Sequence, residues 1–354
     1  MTKDHSIFIK NIYYMLSYAF TALRQSEYES IAAETFENIH NLFAAILVKG
    51  IGKQLKQGLY REYVSCKEDQ AVLRGRIDMP GTMRNRLAKK RMLTCVYDEL
   101  SENNLLNRIL KTTVMLLLKH AEVETRYKSE LKKEMLFFSG VDFIDPAKIR
   151  WSSLQFRKNN SNYRLLIGLC QFILEGMLLT TEDGSYQLAS FVDEQRMSRL
   201  FEKFVFEYYV KECPQVKATA SQIPWALDDG IDTMLPMMQS DITLTKDKNV
   251  LIIDTKYYAH IMQAQYDVDK LHSPNLYQIF TYVKNKKAEF GDGMHTVSGL
   301  LLYAATDEII QPNIRYQMSG NQISVKTLDL NRDFSQIAAR LNAIATEHFG
   351  TEMC

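Results

Sequence analysis

Four consecutive apolar residues, Val250-Leu-Ile-Ile253, run without a break into Asp254-Thr255-Lys256. Such a run suits a central strand buried on both faces, in a sheet covered by helices. So apolar a strand has little reason to end in Asp-x-Lys unless its end lines a cleft. Residues two apart on a strand share a face, so Asp254 and Lys256 are neighbours on one side of the sheet. Met238-Gln-Ser-Asp241-Ile-Thr-Leu reads as the preceding strand, about 237–244, with the turn at Thr245-Lys246-Asp247-Lys248-Asn249. A turn that short pairs it antiparallel with the 249–256 strand and brings Asp241 towards Asp254. Two carboxylates held close in a partly buried site repel, and a divalent cation relieves the repulsion.

The surrounding pattern mixes helices and strands. Helical periodicity covers about 6–24 and 31–49, the second with Gly50 as its stop. A strand pair is expected at Tyr60–Cys66 and Ala71–Asp78, turning at Lys67-Glu68-Asp69. Helices follow over 102–121, 125–138 and 163–179, with Lys158-Asn159-Asn160-Ser161-Asn162 as the linker candidate. Beyond the linker come a helix at 196–212, the strand pair, and a helix at 274–287 with Ser273 as N-cap and Pro274 at its first position. Strands at 297–304 and 323–327 and a helix at 332–348 complete the chain. The fold class expected is α+β: an N-terminal helix and β-hairpin domain over 1–160, then an α/β domain with a central mixed sheet over 161–354.

Composition removes several alternatives. The 354 residues carry 43 Lys+Arg against 42 Asp+Glu, a formal charge of +1, which excludes a histone-like grip on nucleic acid but not a local basic patch. The stretch Ile7 to Leu23 is interrupted by Lys10, Asn11 and Ser17, so it reads as a packed helix, not a membrane span. Five scattered cysteines with no CxxC pair point to a reducing cytoplasm. The chain has no P-loop, H-E-x-x-H or G-x-S-x-G. His260, His272 and His295 read as loop residues around the strand end.

The chemistry that fits the carboxylates is phosphodiester hydrolysis assisted by Mg²⁺ or Mn²⁺. Asp241, Asp254 and the Thr255 carbonyl would be the oxygen ligands, and Lys256 would orient water or neutralise charge on the phosphate. Asp241 followed by Asp254-Thr255-Lys256 resembles the PD-(D/E)xK nuclease motif. Glu202, on a helix upstream, stands where related nucleases carry an acidic residue. Gln278-Ile-Phe-Thr-Tyr282 resembles the QxxxY element of RecB-like nucleases, and its i, i+4 spacing places both side chains on one helical face. The resemblance implies site roles for Glu202, Gln278 and Tyr282 beside Asp241, Asp254 and Lys256.

A second signal lies upstream. Between 74 and 91 the chain carries seven basic residues, Arg74, Arg76, Arg84, Arg86, Lys89, Lys90 and Arg91, against the single acid Asp78. Such a segment is either a solvated hairpin edge or an arm that meets phosphate or an acidic partner. Leu73-Arg-Gly-Arg-Ile-Asp78, then Cys95-Val-Tyr-Asp-Glu-Leu-Ser-Glu-Asn-Asn-Leu-Leu-Asn107, followed by the Asp-x-Lys segment, resembles the McrC family of McrBC methylcytosine-dependent restriction systems. That resemblance spans nearly the whole chain. It implies a DNA endonuclease subunit acting on double-stranded DNA. It further implies a hexameric McrB-like AAA+ GTPase partner that binds the GTP and reads the modified base. The N-terminal domain would dock in the ring's pore and stimulate GTP hydrolysis, and two ring complexes could dimerise. The competing expectations are a stand-alone restriction or RecB-like repair nuclease and a non-catalytic activator of an NTPase ring.

Overall fold

The computed structural model describes residues 9–25, 28–157, 160–181, 184–258, 262–265, 268–291, 295–306, 308 and 310–350. The chain forms two compact units, His40–Ser190 and a discontinuous one made of Met1–Ile39 with Phe191–Cys354. The units therefore do not follow the expected division at 160/161, for two physical reasons. Helix α1 (Ile9–Ala19) is fixed to the C-terminal segment: Asn11 Nδ2 donates to the carbonyls of Leu330 and Arg332, both at 2.7 Å. At the other end, Tyr163 and the helix it opens are held in the His40–Ser190 unit by a buried polar network described below.

The helix expected over 31–49 is divided into α2 (Glu29–Ala33) and α3 (Ile39–Gln57). Helix α3 runs through Gly50 and stops before Gly58, whose φ of +85° suits the left-handed residue that ends a helix. The expected hairpin is also different. Strand β1 (Glu62–Gln70) passes straight through Lys67-Glu68-Asp69, and β2 is only Arg76–Ile77. Asp78 ends no strand: its Oδ2 accepts from Gly81 N at 2.9 Å and caps α4 (Met79–Leu87), with Pro80 in the first turn. The partner of β1 is β3 (Leu93–Ser101), paired antiparallel from Glu62↔Ser101 to Gln70↔Leu93, with β2 on the other side of β3.

Helices α5 (Leu105–Lys119), α6 (Thr125–Met135) and α7 (Tyr163–Met177) and the small hairpin β4 (Leu178–Thr180) and β5 (Tyr186–Leu188) complete this unit. Buried amides tie the ribbon to its base. Asn104 and Asn107 both donate to Tyr60 O, at 2.8 and 2.9 Å; Tyr163 Oη donates to Asn107 Oδ1 at 2.7 Å and accepts from Tyr60 N at 3.0 Å. Tyr163 and Asn107 are almost fully buried, so each polar atom there needs its partner.

The discontinuous unit is built on a six-stranded mixed sheet. Helix α8 (Glu194–Glu212) leads into β6 (Lys217–Thr219), β7 (Gln222–Ile223), β8 (Met238–Gln239), β9 (Ile242–Lys246) and β10 (Asn249–Lys256). The strand expected over 237–244 is thus broken at Ser240-Asp241. Then come the hairpin β11 (Met262–Gln265) and β12 (Val268–Leu271), α9 (Ser273–Glu289), β13 (Thr296–Ala304), β14 (Ile314–Met318), β15 (Asn321–Leu328) and α10 (Phe334–Phe349). Strand order is β14-β15-β13-β10-β9-β6, with β10, β13 and β15 parallel and the remaining pairs antiparallel. The mixed central sheet agrees with the α+β class expected.

Alternation along β10 sorts its side chains. Val250 and Ile252 pack with Ile279, Tyr282 and Val283 of α9, whereas Leu251 lies beside Ile344 of α10. Asp254 and Lys256 continue the α9 row. Gly299 lets α9 lie directly on β13, since a Cβ there would stand 2.7 Å from Ile279 Cγ1 and 2.9 Å from Val283 Cγ2. No described helix is long and apolar enough to cross a membrane.

Candidate active site

The end of β10 carries the site. Pairing with β9 stops at Ile253↔Ile242, so the bend at Asp241 falls beside Asp254 where the ladder ends. There the Asp241 side chain replaces a strand: its Oδ2 accepts from Thr255 N at 2.7 Å and from Thr255 Oγ1 at 2.8 Å. A strand residue directs its N–H and C=O to the same side, so the Thr255 carbonyl also faces the gap beyond β9. Asp254 is 1% exposed. Lys256 Nζ pairs with its Oδ2 at 2.7 Å, and Oδ1 is buried without a hydrogen bond. A buried carboxylate oxygen left unpaired is costly and marks a place for a proton or a cation.

Charge follows from burial. Loss of solvent raises the Asp254 carboxyl to about 6; Lys256 opposes the rise, while Asp241 and Glu202 add to it. Glu202, half-buried on α8, is also raised, by burial first and then by Asp241, against Lys256, Arg199 and Lys203. Burial works against the Lys256 ammonium, yet Asp254 and Asp241 outweigh it and the lysine stays charged. Gln278 on α9 then orders the cation: its Oε1 accepts from Lys256 Nζ at 3.1 Å, and its Nε2 donates to Tyr282 Oη at 2.9 Å. The structure therefore brings Asp241, Asp254, Thr255, Lys256, Gln278 and Tyr282 into one connected arrangement, with Glu202 coupled to it through charge.

Every candidate donor here is an oxygen, and no histidine or cysteine belongs to the set. Together with the orphaned Asp254 Oδ1, that chemistry fits a hard cation such as Mg²⁺ or Mn²⁺. The three carboxylates are not drawn into one tight cage. Among the described residues, the one group of three such side chains with donor atoms all within 4.8 Å is His40, His120 and Glu122, elsewhere in the chain. The surrounding histidines play other parts: His272 packs against Tyr258, His295 stacks on Phe290 at 4.1 Å, and His260 lies outside the described residues.

The basic segment forms a second surface, on a strand–helix–turn in place of the expected hairpin. Arg74 precedes β2, Arg76 is on it, Arg84 and Arg86 are on α4, and Lys89-Lys90-Arg91 follow, with Lys89 at a φ of +55°. All seven are exposed. Arg74 lies over the Tyr97 ring at 3.8 Å and pairs loosely with Glu99; the other six make no ion pair among the described residues. Between them stand exposed apolar side chains, Val72, Leu73, Met79, Met83 and Leu87, the last 83% exposed. Sequence reading found the charges and missed these side chains, although Met79, Met83 and Leu87 recur at a helical spacing of four. A surface both apolar and cationic is not what solubility alone selects.

Comparison with known proteins gives a consistent assignment. The profile of a family described as "McrBC 5-methylcytosine restriction system component" matches residues 3–304. A curated relative from Escherichia coli (strain K12), "Type IV methyl-directed restriction enzyme EcoKMcrBC", is 29% identical over 344 residues, 96% of this chain and 97% of the relative. Among solved structures, the refined half-complex of a tetradecameric assembly of Thermococcus gammatolerans McrB AAA+ hexamers with bound McrC is similar with a TM-score of 0.51. It is 19% identical, over 95% of this chain and 76% of that one, a likeness of fold.

Proposed function

From the premise that the chain belongs to the McrBC 5-methylcytosine restriction system component family, we propose that it is the metal-dependent DNA endonuclease subunit of such a system. The observation that carries the reading is the buried Asp254 carboxylate at a strand end, with one oxygen on Lys256 and the other unpaired beside Asp241 and Glu202. Asp241, Asp254 and the Thr255 carbonyl would hold Mg²⁺ or Mn²⁺. Such an ion supplies Lewis-acid polarisation of the scissile phosphate and acidifies a water bound to it.

The protein's own groups account for the rest. The Thr255 amide and hydroxyl fix one oxygen of Asp241, which sets the direction of the other. Lys256 stays protonated and can donate to a phosphate oxygen or to the attacking water, and Gln278, steadied by Tyr282, limits where its ammonium points. Glu202 is a stronger proton acceptor than an ordinary carboxylate, because burial and then Asp241 raise its carboxyl.

The basic and apolar ribbon around α4 is the docking element for an AAA+ GTPase ring of the McrB kind. Its support is the combination of cations, six of them without an ion pair among the described residues, with exposed apolar side chains on one segment, and the fold shared with McrC bound to McrB hexamers. GTP belongs to the partner in this reading, since this chain has no P-loop. The test measures two activities on two variants with the partner present. Asp254→Ala should stimulate GTP hydrolysis normally and cut no DNA, while Arg84→Glu, Arg86→Glu and Lys90→Glu together should reduce stimulation several-fold. DNA cleavage by Asp254→Ala at the wild-type rate would refute the active site, and full stimulation by the triple variant would refute the docking surface.

A further inference from the structure

A second cluster of metal-ligating side chains lies in the His40–Ser190 unit, apart from the carboxylate site. His40 at the start of α3 is fully buried, and its ring stacks on His120 with centroids 3.7 Å apart and planes at 18°. Nε2 of His40 lies 2.8 Å from the carbonyl of Ala189 and so carries the proton, which leaves Nδ1 as a bare lone pair. That Nδ1 is buried, has no hydrogen bond, and lies 3.4 Å from Oε2 of Glu122. His120, the residue after α5, is in the same tautomer: its Nδ1 accepts a long hydrogen bond of 3.3 Å from the Glu122 amide, and its ring also bonds the Leu188 backbone.

We propose that His40, His120 and Glu122 bind a first-row transition-metal dication, with Zn²⁺ the best match to two imidazoles and one carboxylate. One donor atom from each residue already lies within 4.8 Å of the other two. Both rings direct a proton to a backbone carbonyl, which fixes the tautomer and orients the ring as around metal-bound histidines.

The geometry also states what binding must change. An ion in the plane of both rings requires the stack to fan open. His40 is locked by burial, so His120, half-buried at the rim, has to turn and give up its weak bond to the Glu122 amide. The half-exposed Glu122 leaves the fourth position to water. His40 opens this unit and Ala189 is its penultimate residue, so an ion here would brace the bond that joins the two ends of the segment.

The experiment titrates Co²⁺ into the full-length protein in excess Mg²⁺, following the visible ligand-field band of low-coordinate cobalt. Wild type and Asp254→Ala should each take up one equivalent with the same affinity. His120→Ala and Glu122→Gln should each weaken uptake by at least about tenfold. Zn²⁺ should raise the thermal midpoint of wild type and not that of His120→Ala. Absence of a saturable band in wild type overturns the proposal. So does equal affinity in His120→Ala and Glu122→Gln, or loss of the band in Asp254→Ala, which would assign the ion to the carboxylates.

Discussion

Replacing Asp254 by Asn should make the protein more stable while abolishing cleavage. The native state holds the Asp254 carboxyl at about 6 against an ordinary value of 3.8, with burial as the main cause. Two units of pKa correspond to about 3 kcal/mol by which the ionised side chain disfavours the folded state at neutral pH. That figure already contains the attraction of Lys256. The amide removes the charge without changing the shape, but its N–H groups meet the Lys256 ammonium 2.7 Å from the present oxygen, which trims the gain to about 1–2 kcal/mol. The midpoint should rise by a few degrees, roughly 2–6 °C. The sign depends on pH. A carboxyl with a raised folded-state pKa destabilises only where it ionises, so the cost is absent below about 4, develops between about 4 and 6, and is complete above 6. Thermal melts of both proteins in EDTA at pH 4 and pH 7.5, with a cleavage assay in Mg²⁺, check each part. A variant that melts below wild type at pH 7.5, or whose advantage persists unchanged at pH 4, would show that Asp254 is not the strained, buried anion described.

The same physics applies at Glu134, whose carboxyl is pushed up to about 8 by burial and by Glu130. Glu134→Gln should match wild type below pH 4.5 and exceed it by about 1–2 kcal/mol at pH 9, after allowing for solvent at a half-open group; denaturant titrations at both pH values decide this. Gly299→Ala places a methyl 2.7 Å from Ile279 and 2.9 Å from Val283, so α9 must lift from β13 at a cost of about 1–3 kcal/mol. Because α9 carries Gln278, cleavage should fall with stability; an alanine variant with wild-type melting would show that the contact is slack.

How much of this was legible in the sequence depended on how local the signal was. Val250 to Lys256 encodes its own burial and its own end, and the short turn fixes the register that puts Asp241 beside Asp254. Helix α9 announces itself through Pro274 in its first turn, although His272 and not Ser273 stands at the cap position, and the four-residue spacing of Gln278 and Tyr282 survives as a hydrogen bond. The ribbon is not legible locally because Lys67-Glu68-Asp69 has turn composition, yet its strand continues. What holds it is β3, some thirty residues away, and no local pattern reports a partner at that distance. Asp78 misled for a related reason. An aspartate at the end of an apolar–polar alternation can close a strand or cap a helix, and the Gly81 amide decides for the cap.

The division into units shows the same limit at larger scale. The polar run at 158–162 has linker composition, and a chain of this length invites a cut there. What decides is where buried polar groups find partners. Tyr163, just past that run, satisfies the buried Asn107 Oδ1 and the part-buried Tyr60 N, so cutting at 160/161 would separate these groups from their partner. The opposite holds at the N-terminus, where Asn11 satisfies two carbonyls more than 300 residues away and Tyr18 donates to Glu212 at 2.8 Å. Helix α1 thereby packs on α8, the helix that brings Glu202 to the carboxylates. A truncation that removes the first 39 residues in order to isolate a nuclease domain would therefore expose the apolar face of α8, including Phe204 and Tyr208. Because α8 also carries Glu202, loss of that packing links the architecture of the unit to the electrostatics of its site.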